Sequence, residues 1–180
     1  MSDLPKSEPW LRGTLTDIPA IPRAVIHALE LAREDITRWC AGLTDAQLNA
    51  RPMGIAPVAF HMRHIIRSID RLLSYAEGKQ LSAEQFAALK TELNPGAEHV
   101  LLFAEFDEAV NRAIVRICAI DATRLEEPRK VGREALPASV GGLLVHVADH
   151  TQRHVGQAIT TAKIVAAQGS KSDPTKGASC

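Results

Sequence analysis

The sequence predicts an all-α protein: a four-helix bundle with one short extra helix and long connections. Three observations predict it. Aromatic residues are only 4% of the 180 residues, while apolar residues reach 46% and are mainly Ala, Leu, Ile and Val, a balance that favours helix-on-helix cores over sheets. Four segments carry apolar residues at intervals of three and four, the helical period. Each runs for roughly 22–30 residues, or about 33–45 Å at 1.5 Å per residue, which suits a bundle that buries one stripe from each helix. Gly and Pro signals separate the segments, and there is no internal repeat.

The first helix is expected over about 19–40. Thr16 or Asp17 is placed to cap it, Pro19 and Pro22 suit its opening turn, and Gly42 ends it. Its stripe is Ile21, Val25, Ala28, Leu29, Ala32, Ile36 and Trp39. Residues 43–55 read as a loop broken by Arg51-Pro52-Met53-Gly54. A second helix follows over about 56–77, stopped by Gly78, with Val58, Met62, Ile65, Ile66, Ile69, Leu72 and Leu73 inward. A short helix is expected over 82–93, with Ser82 as cap and Gln85 at the third position.

Asn94-Pro95 then reads as an Asn cap and first-turn proline for a third long helix, with Val100, Leu101, Ala104, Val110, Ile114, Ile117 and Cys118 as its core face. Residues 121–137 read as a charged loop. Ser139 caps the last helix, which extends to about 168 and is closed by Gly169. Residues 1–168 are thus expected to form one domain, and the polar tail 169–180, rich in Gly, Pro and Ser, to be disordered.

Charge and composition narrow the function classes. Lys plus Arg balance Asp plus Glu at 21 each, with no basic block, so no nucleic-acid partner is expected. Apolar runs are short and interrupted by charge, so no membrane span is expected. The opening MSDLPKSEPWLRG lacks the basic start and apolar stretch of a signal peptide, which makes a cytoplasmic protein the expectation. Three widely spaced cysteines without a C-x-x-C support neither a disulfide framework nor a cysteine zinc site. Cys40 and Cys118 are expected as small buried apolar residues.

The chemistry lies in the histidines. Of seven, His61 and His64 fall on the second predicted helix, and His146, His150 and His154 on the last. His27 and His99 stand apart. Histidines 150 and 154 are four apart, hence on one side of the helix. His154 lies inside the stripe of Leu143, Val147, Ala158, Ala162 and Val165, with His150 at its edge. Two imidazoles on one apolar face need a shared partner, and a metal ion supplies one. The second helix offers a third nitrogen. Helical phase favours His61, beside Met62, Ile65 and Ile69, while His64 lies towards Ser68, Arg71 and Tyr75, so both stand as candidates.

Three imidazoles with an open position describe a catalytic type of metal site rather than a closed one. His146-Val147-Ala148-Asp149-His150 mimics an H-x-x-E-H protease pattern only with Asp for Glu, and no E-x-x-H pair of a di-iron bundle occurs. Gly156 suggests close approach of a helix or ligand, and Gln157 is placed to orient a ligand or bond a metal-bound water. Arg63, Arg67, Arg71 and Arg153 are the nearby cations that an anionic thiol or substrate would meet.

The stretch Ala59-Phe60-His61-Met62-Arg63-His64-Ile65-Ile66-Arg67-Ser68, together with residues 146–157, resembles the DinB/YfiT-like family of bacterial metal-binding four-helix bundles. That family's pattern is a histidine followed by Ile or Leu on the second helix, then H-x-x-x-H-x-G-Q or a close relative on the last. The resemblance spans about 17–168. It implies His64, which Ile65 follows, as first ligand, with His150 and His154 as the others. It also implies a divalent ion, zinc or nickel, completed by water, a helix order that is not simply up and down, and a homodimer.

Characterised members include bacillithiol-using thiol S-transferases and mycothiol-dependent isomerases. The resemblance therefore implies a metal-dependent enzyme on a small molecule, with thiol S-transfer first: the ion would hold a low-molecular-weight thiol as thiolate. The alternatives are hydrolysis by a metal-bound hydroxide, or a non-catalytic, metal-stabilised dimer.

Overall fold

A computed structural model describes residues 7–171. Among them, six helices follow in the order α1 (Ala20–Cys40), α2 (Asp45–Asn49), α3 (Val58–Ala76), α4 (Ala83–Leu89), α5 (His99–Cys118) and α6 (Val140–Lys171). An antiparallel hairpin of β1 (Pro128–Val131) and β2 (Leu136–Ser139) stands between α5 and α6, with Pro128 opposite Ser139. The fold is all-α apart from this two-stranded ribbon. No described helix is long and apolar enough to cross a membrane.

The four long helices bury one stripe each. Leu29 and Ile36 of α1, Met62 and Leu73 of α3, Phe106 and Ile117 of α5, and Leu144 and Val147 of α6 meet in one core. Helix α6 packs against α3 and α1, and α5 packs against the same two. Around the bundle the order is therefore α1, α5, α3, α6. Helices α1 and α3 face each other diagonally, as do α5 and α6, so two of the three connections cross the bundle. Their length serves that crossing.

The caps explain most boundaries. Helix α3 ends in a Schellman motif: Gly78 takes φ +79°, its N–H bonds Tyr75 O, and Lys79 N–H bonds Ser74 O, both at 2.9 Å. Ser82 and Gln85 form the expected capping box, although α4 stops at Leu89. Ser139 Oγ accepts from Gly142 N–H at 3.1 Å at the start of α6. Neither Thr16 nor Asp17 caps α1; its N-cap is Pro19, with no side-chain bond.

Other expectations are corrected. The loop over 43–55 contains α2, opened by a reciprocal Thr44–Gln47 capping box. The loop over 121–137 contains much of the hairpin. Asn94 does not start α5. Gly96 turns the chain at φ +83°, and the helix begins at His99, whose N–H is bonded at 2.7 Å by Asp45 Oδ1 from α2. The phase of α5 differs accordingly. Val100 and Leu101 are 76% and 63% exposed, while Leu102, Phe106, Ala109, Val110, Ala113 and Ile117 face the core. Phe106, the bulkiest of these, selects that face.

Ala104 is also exposed and Ile114 only partly buried. Cys40 is buried as expected, but Cys118 is exposed. Ile21 and Trp39 lie at the surface, where Lys163 Nζ sits 4.1 Å from the Trp39 ring centroid. Gly169 does not close α6, which continues to Lys171; the rest of the expected tail lies outside the described residues.

Candidate metal centre

The site forms where α3 and α6 pack together. One ring nitrogen each of His64, His150 and His154 lie within 4.8 Å of one another, making a group able to hold a metal ion. His64 Nε2 and His150 Nε2 are 3.3 Å apart. Metal–nitrogen bonds of 2.0–2.1 Å at a tetrahedral angle put two ligand nitrogens about 3.3 Å apart, so this edge already has the length a bound ion requires. The ring centroids of His64 and His150 lie 4.4 and 4.6 Å from that of His154. Phe60 stacks on the His64 ring at 5.4 Å and restrains its plane.

His61 lies outside this group and behind it. It is buried, and its Nδ1 is 3.1 Å from His154 Nδ1. The two candidates on α3 thus divide the work. Helical phase correctly puts His61 deeper in the core, and that depth keeps it from the edge where His64 and His150 meet. With its Nδ1 engaged by His61, His154 has Nε2 free.

Glu92, in the connection between α4 and α5, is the participant that sequence reading missed. It is 5% exposed. Its Oε2 accepts from His64 Nδ1 at 2.7 Å, and its Oε1 from Arg71 Nη1 at 3.3 Å. Burial alone would raise its carboxyl pKa, but the hydrogen bond from His64 and the Arg71 guanidinium outweigh this and hold it low. A carboxylate on Nδ1 keeps the His64 proton there and leaves Nε2 as a lone pair, the arrangement common behind metal-ligating histidines. Its placement has a local cause. Asn49 of α2 bonds the backbone of Ala97 in both directions, at 2.8 and 3.0 Å, which anchors the segment that carries Glu92.

Burial shifts several of these imidazoles towards the neutral form. Burial, then the neighbouring histidines, push His61 and His150 down to about 4. Burial, then His64 and Arg153, lower His154, with Glu92 opposing. Lowered values favour the neutral ring that a metal requires. His150 Nδ1 is buried without a partner, so Nε2 is its engaged nitrogen. Three imidazole donors suit zinc, nickel, copper or iron, so the donor set fits a divalent transition ion.

A cavity of about 320 Å³ adjoins the triad, with His64 and His150 in its wall beside Ser68, Arg71 and Tyr75. A separate cavity of about 520 Å³ is lined by His61, Arg153, Gly156, Gln157 and Thr160. Gln157 is therefore exposed on this second side, away from the wall that holds His64 and His150. A Cβ on Gly156 would meet nothing within 4 Å, so no close approach of protein explains this glycine. Of the nearby arginines, Arg63 bonds Asn94 O, Arg67 bonds Ala88 O and Arg153 pairs with Asp149. Only Arg71 reaches the triad-side cavity.

No curated protein matches this sequence. A family model, that of the DinB superfamily, matches residues 28–158, a span that takes in all three histidines of the triad and Glu92.

Proposed function

The chain belongs to the DinB superfamily, and from that membership we propose that it is a divalent-metal-dependent enzyme acting on a small molecule, with thiol S-transfer as its reaction. His64, His150 and His154 hold the ion, zinc or nickel, through one ring nitrogen each. The observation that carries this reading is the convergence of three imidazoles beside a cavity. A structural site would close with a fourth protein ligand, whereas here the nearest acid, Glu92, is committed to His64 and Arg71.

A divalent ion bound there stabilises thiolate over thiol at neutral pH and so supplies a nucleophile. The chain's own residues do the rest. Glu92 retains the proton on His64 Nδ1 and aims Nε2 at the site. His61 sets the ring of His154 through its Nδ1. Leu72, Leu81, Leu89 and Val131 line the cavity with apolar surface and keep water from an acceptor held there. The same reading takes the protein as a cytoplasmic homodimer whose partners are its small-molecule substrates.

Metal analysis of protein purified without a histidine tag tests the first half, with one zinc or nickel per chain expected. Incubating each metal form with a low-molecular-weight thiol and a panel of electrophiles, followed by mass spectrometry, tests the second. A thiol adduct that requires the metal is the expected result. Failure to take up either ion overturns the reading, and turnover that needs metal but no thiol replaces transfer with hydrolysis.

A further inference from the structure

We infer that the triad-side cavity binds a small organic carboxylate with an apolar body, whose acid group is met by Arg71. This deepens the metal-dependent reading and rests on it for which of the two cavities receives the substrate.

The cavity's chemistry is strongly divided. Leu72, Tyr75, Leu81, Phe86, Leu89 and Val131 give it apolar walls, and Arg71 is its one lining residue with a permanent charge. That side chain is only 14% exposed. A guanidinium so enclosed needs its N–H donors met, and its named partners leave most of them open. Among the described residues Glu92 is its one acidic partner and meets it through a single contact of 3.3 Å, while the other carboxylate oxygen is bonded to His64 at 2.7 Å. Ser68 Oγ accepts from Nη2 at 3.2 Å and brings no charge. Of the five N–H donors of a guanidinium, these two bonds use two.

The charge balance points the same way. With a divalent ion on neutral imidazoles, Arg71 and Glu92 cancel and the cluster keeps the ion's two positive charges. A thiolate removes one. One carboxylate on the second molecule, or on the thiol itself, removes the other. The Arg133 guanidinium lies 5.8 Å from the centroid of Phe86, a residue of the cavity wall. At about 320 Å³ the space suits a molecule with one ring or a short chain.

The test is calorimetric titration of the full chain, metal-free and zinc-loaded, with 4-phenylbutyrate and its neutral amide. The acid is expected to bind at least tenfold more tightly than the amide in both forms. Arg71→Gln is expected to abolish the preference. Leu81→Trp, which fills the cavity, is expected to weaken both probes while zinc uptake persists, and it decides the matter with the wild-type comparison if Arg71→Gln does not fold.

Equal affinity for acid and amide overturns the inference. So does a preference that survives Arg71→Gln, or one confined to the zinc form, since the carboxylate would then sit on the metal. Repeating the zinc titration with saturating 2-mercaptoethanol assigns the source. Retained binding places the carboxylate on the acceptor, and competition places it on the thiol; each supports the site. Stoichiometric zinc with no preference for the acid overturns this inference alone. Absence of zinc uptake overturns the metal reading and leaves the metal-free titration to stand on its own result.

Discussion

Glu92 Oε2 accepts a 2.7 Å hydrogen bond from His64 Nδ1, joining the connection before α5 to the middle of α3 across 28 positions of sequence. The pair is buried on the acid side and shared with Arg71. It holds one tautomer of His64 and with it the direction of the Nε2 lone pair. Glu92→Gln keeps the shape but removes the charge, and metal affinity should fall about 10–100-fold, the usual loss for such outer partners. Competition with a chromophoric chelator measures it, and unchanged affinity would dismiss the role given to Glu92.

Ligand and supporting histidines should separate by mutation. His150→Ala and His154→Ala should each abolish stoichiometric zinc uptake. His61→Ala should still bind one ion, about tenfold more weakly, because it removes only the partner of His154 Nδ1. If His61→Ala loses the metal and His64→Ala keeps it, the third ligand is His61 instead.

Acid should destabilise the metal-free protein through its neutral histidines. His61 and His150 are lowered from 6.5 to about 4 in the folded chain. As pH falls below 6.5 the unfolded chain takes up these protons first, so stability is complete above that value and is lost progressively down to about 4. Thermal unfolding scanned across this window should show a falling Tm, and the zinc form should hold its Tm to lower pH. A flat Tm in the metal-free protein would contradict the lowered values.

Metal should itself stabilise the fold. An ion at a hundred times its Kd adds about 2.7 kcal/mol. In a domain of this size that corresponds to a Tm rise of about 5–10 °C, reversed by a chelator. A shift that persists in His154→Ala would place the ion elsewhere.

The corrected phase of α5 has its own test. Phe106→Ala should cost about 3–5 kcal/mol, as loss of a fully buried ring does. Val100→Ala and Leu101→Ala, at the surface, should stay within about 0.5 kcal/mol in urea unfolding. Equal costs would restore the phase inferred from Asn94 as the helix start.

What was legible followed from local rules. The stripe of α3 and the stop at Gly78, the Ser82–Gln85 box and the Ser139 cap are each determined within a few residues, and each is present. Where reading failed, a distant partner had decided. The start of α5 is set by Asp45 of α2 rather than by Asn94, and Phe106 turns the helix so that Leu101 faces water. The Thr44–Gln47 box was within reach of the same pattern that found Ser82. The hairpin, with only four residues per strand, carried too little alternation to be seen.

The sequence by itself determined four long helices and the placing of His150 and His154 on one side of the last. Helical period and i,i+4 spacing are properties of a single segment and need no neighbour. Only the tertiary structure decided that His64 rather than His61 stands at the triad's edge, and that a glutamate from a connecting segment lies behind it. Both depend on how deeply α3 and α6 pack and on which side chain reaches across the gap. That is a relation between elements, which the periodicity of neither one contains.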